Sequence, residues 1–99
     1  MNQDKFNKLL LVSNPKEVDR RALEIYGKPT YLSTRKNKKY MIEDDDGRLI
    51  HFGDIRYQDY TFHKDAIRAM SYRKRMNGVK GNWRNNEYSP NILSLRLLW

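Results

Sequence analysis

The stretch HFGDIRYQDYTFHKD carries both histidines of this 99-residue chain, His51 and His63, with Asp54, Asp59 and Asp65 beside them. A histidine pair among carboxylates can ligate a divalent metal or move protons on a phosphodiester. The spacing suits neither chemistry well, since the two lie twelve residues apart with no HxH, HxxxH or paired-acid motif around them. His63 also suits a helix start, where its ring would hydrogen-bond backbone. The run Glu43-Asp44-Asp45-Asp46-Gly47 lacks the alternate ligand positions and closing glutamate of a calcium loop, and reads as a hairpin turn. There is no GxSxG, no phosphate-cradling glycine loop and no cysteine, and Ser13, Ser33, Ser71, Ser89 and Ser94 have no activating neighbours in sequence. No cofactor or metal is expected, and the balance of features is against an enzyme.

The cations are the stronger lead. Twenty Lys and Arg against twelve Asp and Glu give a net charge of +8, in blocks. Residues 28–39 hold Lys28, Arg35, Lys36, Lys38 and Lys39 and no acid. Residues 64–84 hold Lys64, Arg68, Arg73, Lys74, Arg75, Lys80 and Arg84 against Asp65 alone, while residues 40–63 between them are net acidic. Such blocks neutralise phosphates and release counterions, which supplies most non-specific nucleic-acid affinity. The expected contacts are Arg35, Lys36, Lys38, Lys39, His63, Lys64, Arg68, Arg73, Lys74, Arg75, Lys80 and Arg84. Tyr31, Tyr40, Tyr57, Tyr60, Tyr72, Trp83 and Tyr88 are interleaved with them and could stack on unpaired bases. With only three Phe, however, a small domain must use most of these rings as core. No helix-turn-helix, zinc-finger or RRM pattern is present.

These residues need elements to position them. Ser13-Asn14-Pro15-Lys16-Glu17 predicts a capped helix start, and Val18, Ala22, Ile25 and Tyr26 form an apolar stripe that Gly27 ends. Thr30–Thr34, Lys39–Glu43 and Arg48–Phe52 read as an antiparallel β-meander, turning at Arg35–Lys38 and at Asp44–Gly47. His63-Lys64-Asp65 opens a second helix running to about Asn77-Gly78. Ala66, Ile67, Ala69, Met70 and Met76 lie on one side of it, intruded on by Arg73. Ser89-Pro90 predicts a short terminal helix, although Leu93, Leu95, Leu97 and Trp99 also alternate as on a strand. The fold class is therefore α+β: a three-stranded antiparallel β-meander packed against two to three helices, in a single domain. The apolar segment Ile92–Trp99 must dock on the chain's own core or, alternatively, form a homodimer. No apolar run approaches the ~18 residues of a membrane span, so no membrane partner is expected. The apolar start FNKLLLV is too short and polar-flanked for a signal peptide.

The series KY…HFG, YQDYTFHKD, Arg68…Tyr72…Arg75, GNW and SPNILSLRLLW resembles a family of small basic proteins of large double-stranded DNA viruses, relatives of mimivirus and marseillevirus. The resemblance covers about residues 38–99 and sets residues 1–37 apart as a lineage-specific addition. It implies expression in an infected host cell, in cytoplasm or nucleus, and packaging in the virion, but no activity. The sequence thus predicts a viral accessory protein that binds nucleic acid, DNA rather than RNA, through phosphate contacts. A virion or host-protein interaction module is the alternative, and a metal-dependent phosphodiester-processing enzyme using His51 and His63 ranks third. The stretch around Phe52, Gly53, Tyr57 and Tyr60 reads as a structural connector in which Thr61 caps a helix. That connector would present His63, Lys64 and Arg68 at a helix start where a phosphate docks.

Overall fold

The computed structural model describes residues 3–99. Helix α1 (Gln3–Leu9) is followed by α2 (Pro15–Tyr26), then by strands β1 (Tyr31–Leu32), β2 (Lys38–Glu43) and β3 (Leu49–Asp54). A one-turn helix α3 (Tyr60–His63), helix α4 (Ala66–Asn77), a 3₁₀ turn at Trp83–Asn85 and helix α5 (Pro90–Leu97) complete the chain. The architecture is α+β, with the three strands paired antiparallel in the order β1-β2-β3. The helices α1 and α3 are additional to those read from sequence.

Local chemistry accounts for most boundaries. Asn14 Oδ1 accepts from Glu17 N at 3.4 Å and Pro15 opens α2. Gly27 ends it at φ 69°, a left-handed conformation that costs glycine little. Asp44 Oδ1 accepts from both Asp46 N and Arg48 N at 2.9 Å, which closes the β2–β3 turn. Ser89 Oγ accepts from Ile92 N at 3.3 Å and Pro90 starts α5, so the tail is a helix.

The core gathers Leu9, Val18, Ala22, Tyr40, Ile42, Phe52, Ile55, Leu93, Leu97 and Leu98. Helix α5 packs against β3 and α2. Burial of Leu93, Leu97 and Leu98 stabilises the fold by about 1.5–3 kcal/mol each. Ile92 is buried as well, so most of the apolar surface of the terminal segment docks on the chain's own core.

Helix α4 departs from the sequence reading. Its inner face is Ala69, Tyr72 and Met76, at i, i+3 and i+7, with Arg73 along the edge. Ala69 and Met76 are buried, Tyr72 stacks on Trp99 with centroids 4.3 Å apart at 9°, and Arg73 donates to the Trp99 carbonyl at 2.7 Å. Ile67 and Met70, expected inside, are 76% and 66% exposed. Apolar residues at 66, 67, 69 and 70 cover too wide an arc for one helix face. The anchors to Trp99 decide which edge turns inward.

Candidate nucleic-acid interface

The connector between β3 and α4 is organised by a buried polar network. Lys39 on β2 and Asp59 form an ion pair with Nζ 2.8 Å from Oδ2, at 2% and 0% side-chain exposure. Asp59 Oδ1 accepts from Thr61 N at 3.0 Å, capping α3, and also from the Thr61 hydroxyl. Thr61 Oγ1 in turn accepts from Asn14 N at 3.0 Å and lies 3.2 Å from Ser13 Oγ, to which the Tyr40 hydroxyl donates at 2.7 Å. The network thus ties the α1–α2 junction to β2 and to the connector. Burial lowers the Lys39 pKa below its ordinary value, with Asp59 and Asp54 opposing. Burial raises that of the Tyr40 hydroxyl.

Gly53 makes room for this arrangement. The pairs Lys38↔Asp54 and Tyr40↔Phe52 place it across from Lys39. At φ 80°, a Cβ there would lie 2.9 Å from Leu98 Cδ1 and 3.1 Å from Lys39 Cβ. Residues by which the family resemblance is drawn, among them Lys39, Tyr40, Gly53, Asp59 and Thr61, therefore meet in space as a structural core.

Three expected site features change as a result. Lys39 is not a surface cation. It is removed from the phosphate-contact set because its ammonium is enclosed with Asp59. The cap of α3 is Asp59 rather than Thr61, and α4 has its own cap, Asp65, whose Oδ1 accepts from Ile67 N at 3.0 Å and Arg68 N at 3.2 Å. That carboxylate already takes the backbone N–H groups that a phosphate at this helix start would use. His63 packs between Tyr60 and Trp99, with ring centroids at 6.2 and 5.4 Å. Its Nδ1 accepts from Asp65 N at 2.9 Å and its Nε2 is buried without a hydrogen-bond partner, so it too leaves the phosphate-contact set.

His51 lies elsewhere, with Nδ1 2.7 Å from Ser33 Oγ. Ser33 Oγ also accepts from Arg35 N, which leaves its hydroxyl proton for the imidazole. Desolvation, aided by neighbouring cations, lowers the pKa of both histidines. Among the described residues, no three His, Cys, Asp or Glu side chains gather where they could hold a metal ion. His51 and His63 therefore lie in separate environments, one beside Ser33 and the other between Tyr60 and Trp99.

The remaining cations divide by partner. Lys64, held at φ 55° between α3 and α4, pairs with Glu17, and its Nζ lies 5.5 Å from the Tyr60 ring centroid. Arg84 donates to Met76 O and Asn77 Oδ1 at 3.2 Å and sits over the Trp83 ring at 4.2 Å. Arg68 donates to Gln58 Oε1 at 3.2 Å, and Arg75 lies over the Tyr72 ring at 5.7 Å. Arg35, Lys36, Lys74 and Lys80 are exposed and Lys38 is half-buried. Among the described residues, none of Arg35, Lys36, Lys38, Arg68, Arg73, Lys74, Arg75, Lys80 and Arg84 forms an ion pair with a carboxylate side chain.

The two basic segments meet. Lys38 and Arg75 line one cleft of about 230 Å³ between the sheet end and helices α4 and α5. Asp54 also borders it, but Arg56 grips that carboxylate through Nε at 3.0 Å and Nη2 at 2.8 Å and holds its pKa down to about 2. The aromatic rings are mostly committed: Tyr40 packs on Phe52, Tyr26 on Tyr88, and Tyr72 on Trp99. Among the tyrosines only Tyr31 and Tyr57 are exposed, Tyr57 at 64%.

Fold and surface together define a small α+β domain that keeps one lysine in its interior and turns a set of acid-free cations outward. Residues 29–76 match the model of DUF5754, a family of unknown function. The match spans the sheet, the connector and most of α4. It also takes in residues 29–37, which the sequence reading places with the N-terminal addition. No curated protein and no solved structure matches the chain.

Proposed function

We propose that this protein binds nucleic acid through phosphate contacts made by Arg35, Lys36, Lys38, Arg68, Lys74, Arg75 and Lys80, with Arg73, Arg84 and Lys64 at the margins. One observation carries this reading. Among the described residues, the cations clustered in both basic blocks, Lys28, Lys39 and Lys64 apart, form no ion pair with a carboxylate side chain. Unpaired surface cations are free to exchange counterions for phosphates. A viral setting, with action in an infected cell or virion, rests on the sequence resemblance and belongs to the same proposal.

The test is fluorescence anisotropy with labelled DNA across ~50–300 mM salt. Each phosphate neutralised contributes ~0.9 to the log–log slope on a duplex, so a slope of several units is expected. Neutralising Arg68 or Arg75 lowers that slope by about one unit each. One feature favours a protein-interaction module instead, the exposure of Ile67 and Met70 on α4. That reading predicts flat, weak DNA binding at every salt concentration and a co-purifying protein partner.

A further inference from the structure

We infer that the cleft lined by Lys38 and Arg75 is a subsite for one unpaired nucleotide, so that a single strand binds more tightly than a duplex. This rests on the phosphate-contact reading and deepens it. The cleft of about 230 Å³ is smaller than the ~300–1,000 Å³ that drug-sized ligands fill, which suits a single ring or phosphate unit.

Its lining supplies both halves of a nucleotide site. Lys38 and Arg75 are cations without an ion-paired carboxylate, and the Asp54 carboxylate between the elements is neutralised by Arg56. Tyr57 stands at the same cleft with its ring largely in solvent, and the Arg56 guanidinium lies 5.8 Å from its centroid. Tyr72 lines the cleft too but is committed to Trp99 on one side and Arg75 nearby, so Tyr57 is the available stacking face. Gln58 and Asn91 also border the cleft. Among the described residues, the Gln58 Nε2 donors and the Asn91 side-chain amide have no hydrogen-bond partner, which leaves them for a base edge. A base inside a duplex presents no free face to Tyr57. An unpaired base does, while its phosphate lies between the two cations.

The test titrates ¹⁵N-labelled protein with a short oligothymidylate and, separately, with a duplex. Anisotropy is run in parallel on wild type, Tyr57→Ala and Tyr57→Phe. The single strand is expected to shift the Gln58 and Asn91 side-chain amide resonances. Tyr57→Ala should weaken single-strand binding about 5- to 150-fold, the equivalent of ~1–3 kcal/mol of stacking, while Tyr57→Phe retains it. Duplex affinity should not change in either variant. Salt-dependent binding that leaves both amides and Tyr57→Ala unaffected overturns the subsite while the phosphate reading stands. Absence of binding to both nucleic acids at the lowest salt overturns the two together. Tyr57 is exposed, so a circular dichroism melt of each variant should match wild type.

Discussion

Replacing Lys39 with methionine separates an interior role from a surface one. Met keeps most of the aliphatic stem that passes Gly53 but removes the ammonium 2.8 Å from Asp59 Oδ2. The Asp59 carboxylate, fully enclosed, is then left with Thr61 N and the Thr61 hydroxyl as its donors. Breaking a buried pair by removing one partner costs about 3–5 kcal/mol. A domain of this size has about 5–15 kcal/mol in total. At about 4–8 °C per kcal/mol, Lys39→Met should lower Tm by roughly 12–40 °C. Asp59→Asn strands the ammonium and should cost a similar amount. The double variant Lys39→Met/Asp59→Asn removes both charges while Asn can still cap α3, so it should be less destabilised than the sum of the two. The assay is urea and thermal denaturation of all four proteins, followed by DNA anisotropy at a temperature where each is folded. Affinity of folded Lys39→Met should equal that of wild type. A Tm within a few degrees of wild type together with reduced DNA affinity would refute the interior assignment and return Lys39 to the binding surface.

Gly53→Ala should destabilise by about 2–4 kcal/mol in urea, from left-handed strain and from a Cβ 2.9 Å from Leu98 Cδ1; a loss under about 0.5 kcal/mol would contradict that close approach. Both histidines have folded pKa values below their ordinary 6.5, so the unfolded chain takes up protons first as acid is added. Stability is therefore complete above about 6.5 and falls as pH drops toward the folded values, by at most about 1.4 kcal/mol per pH unit for each histidine. A urea midpoint higher at pH 5.5 than at pH 8 would show the opposite linkage. Ile67→Ser and Met70→Ser should leave stability within about 0.5 kcal/mol of wild type, whereas Met76→Ala should cost about 2–5 kcal/mol. Thermal melts of the three variants decide whether α4 is oriented as described.

Residue type and order were enough wherever the physics acts within a few positions of chain. Asn14, Pro15 and Gly27 mark α2, Asp44 and Gly47 mark the hairpin, and Ser89 with Pro90 marks α5. Each is a hydrogen bond or a backbone preference acting over four positions or fewer. Charge segregation was legible for the same reason, because it is a property of composition along the chain. The folded chain was needed to show which lysine is interior, which carboxylates serve as caps and which face of α4 turns inward. Lys39 meets Asp59 across twenty residues, Ser13 meets Thr61 across forty-eight, and Arg73 meets the Trp99 carbonyl across twenty-six. Lys38 and Lys39 are adjacent and chemically identical in sequence, yet the pleat of β2 sends them to opposite sides. Both line the cleft, but Lys38 stays half-buried while the Lys39 ammonium is enclosed against Asp59, because burial of a charge depends on a partner that only the folded chain can bring within reach.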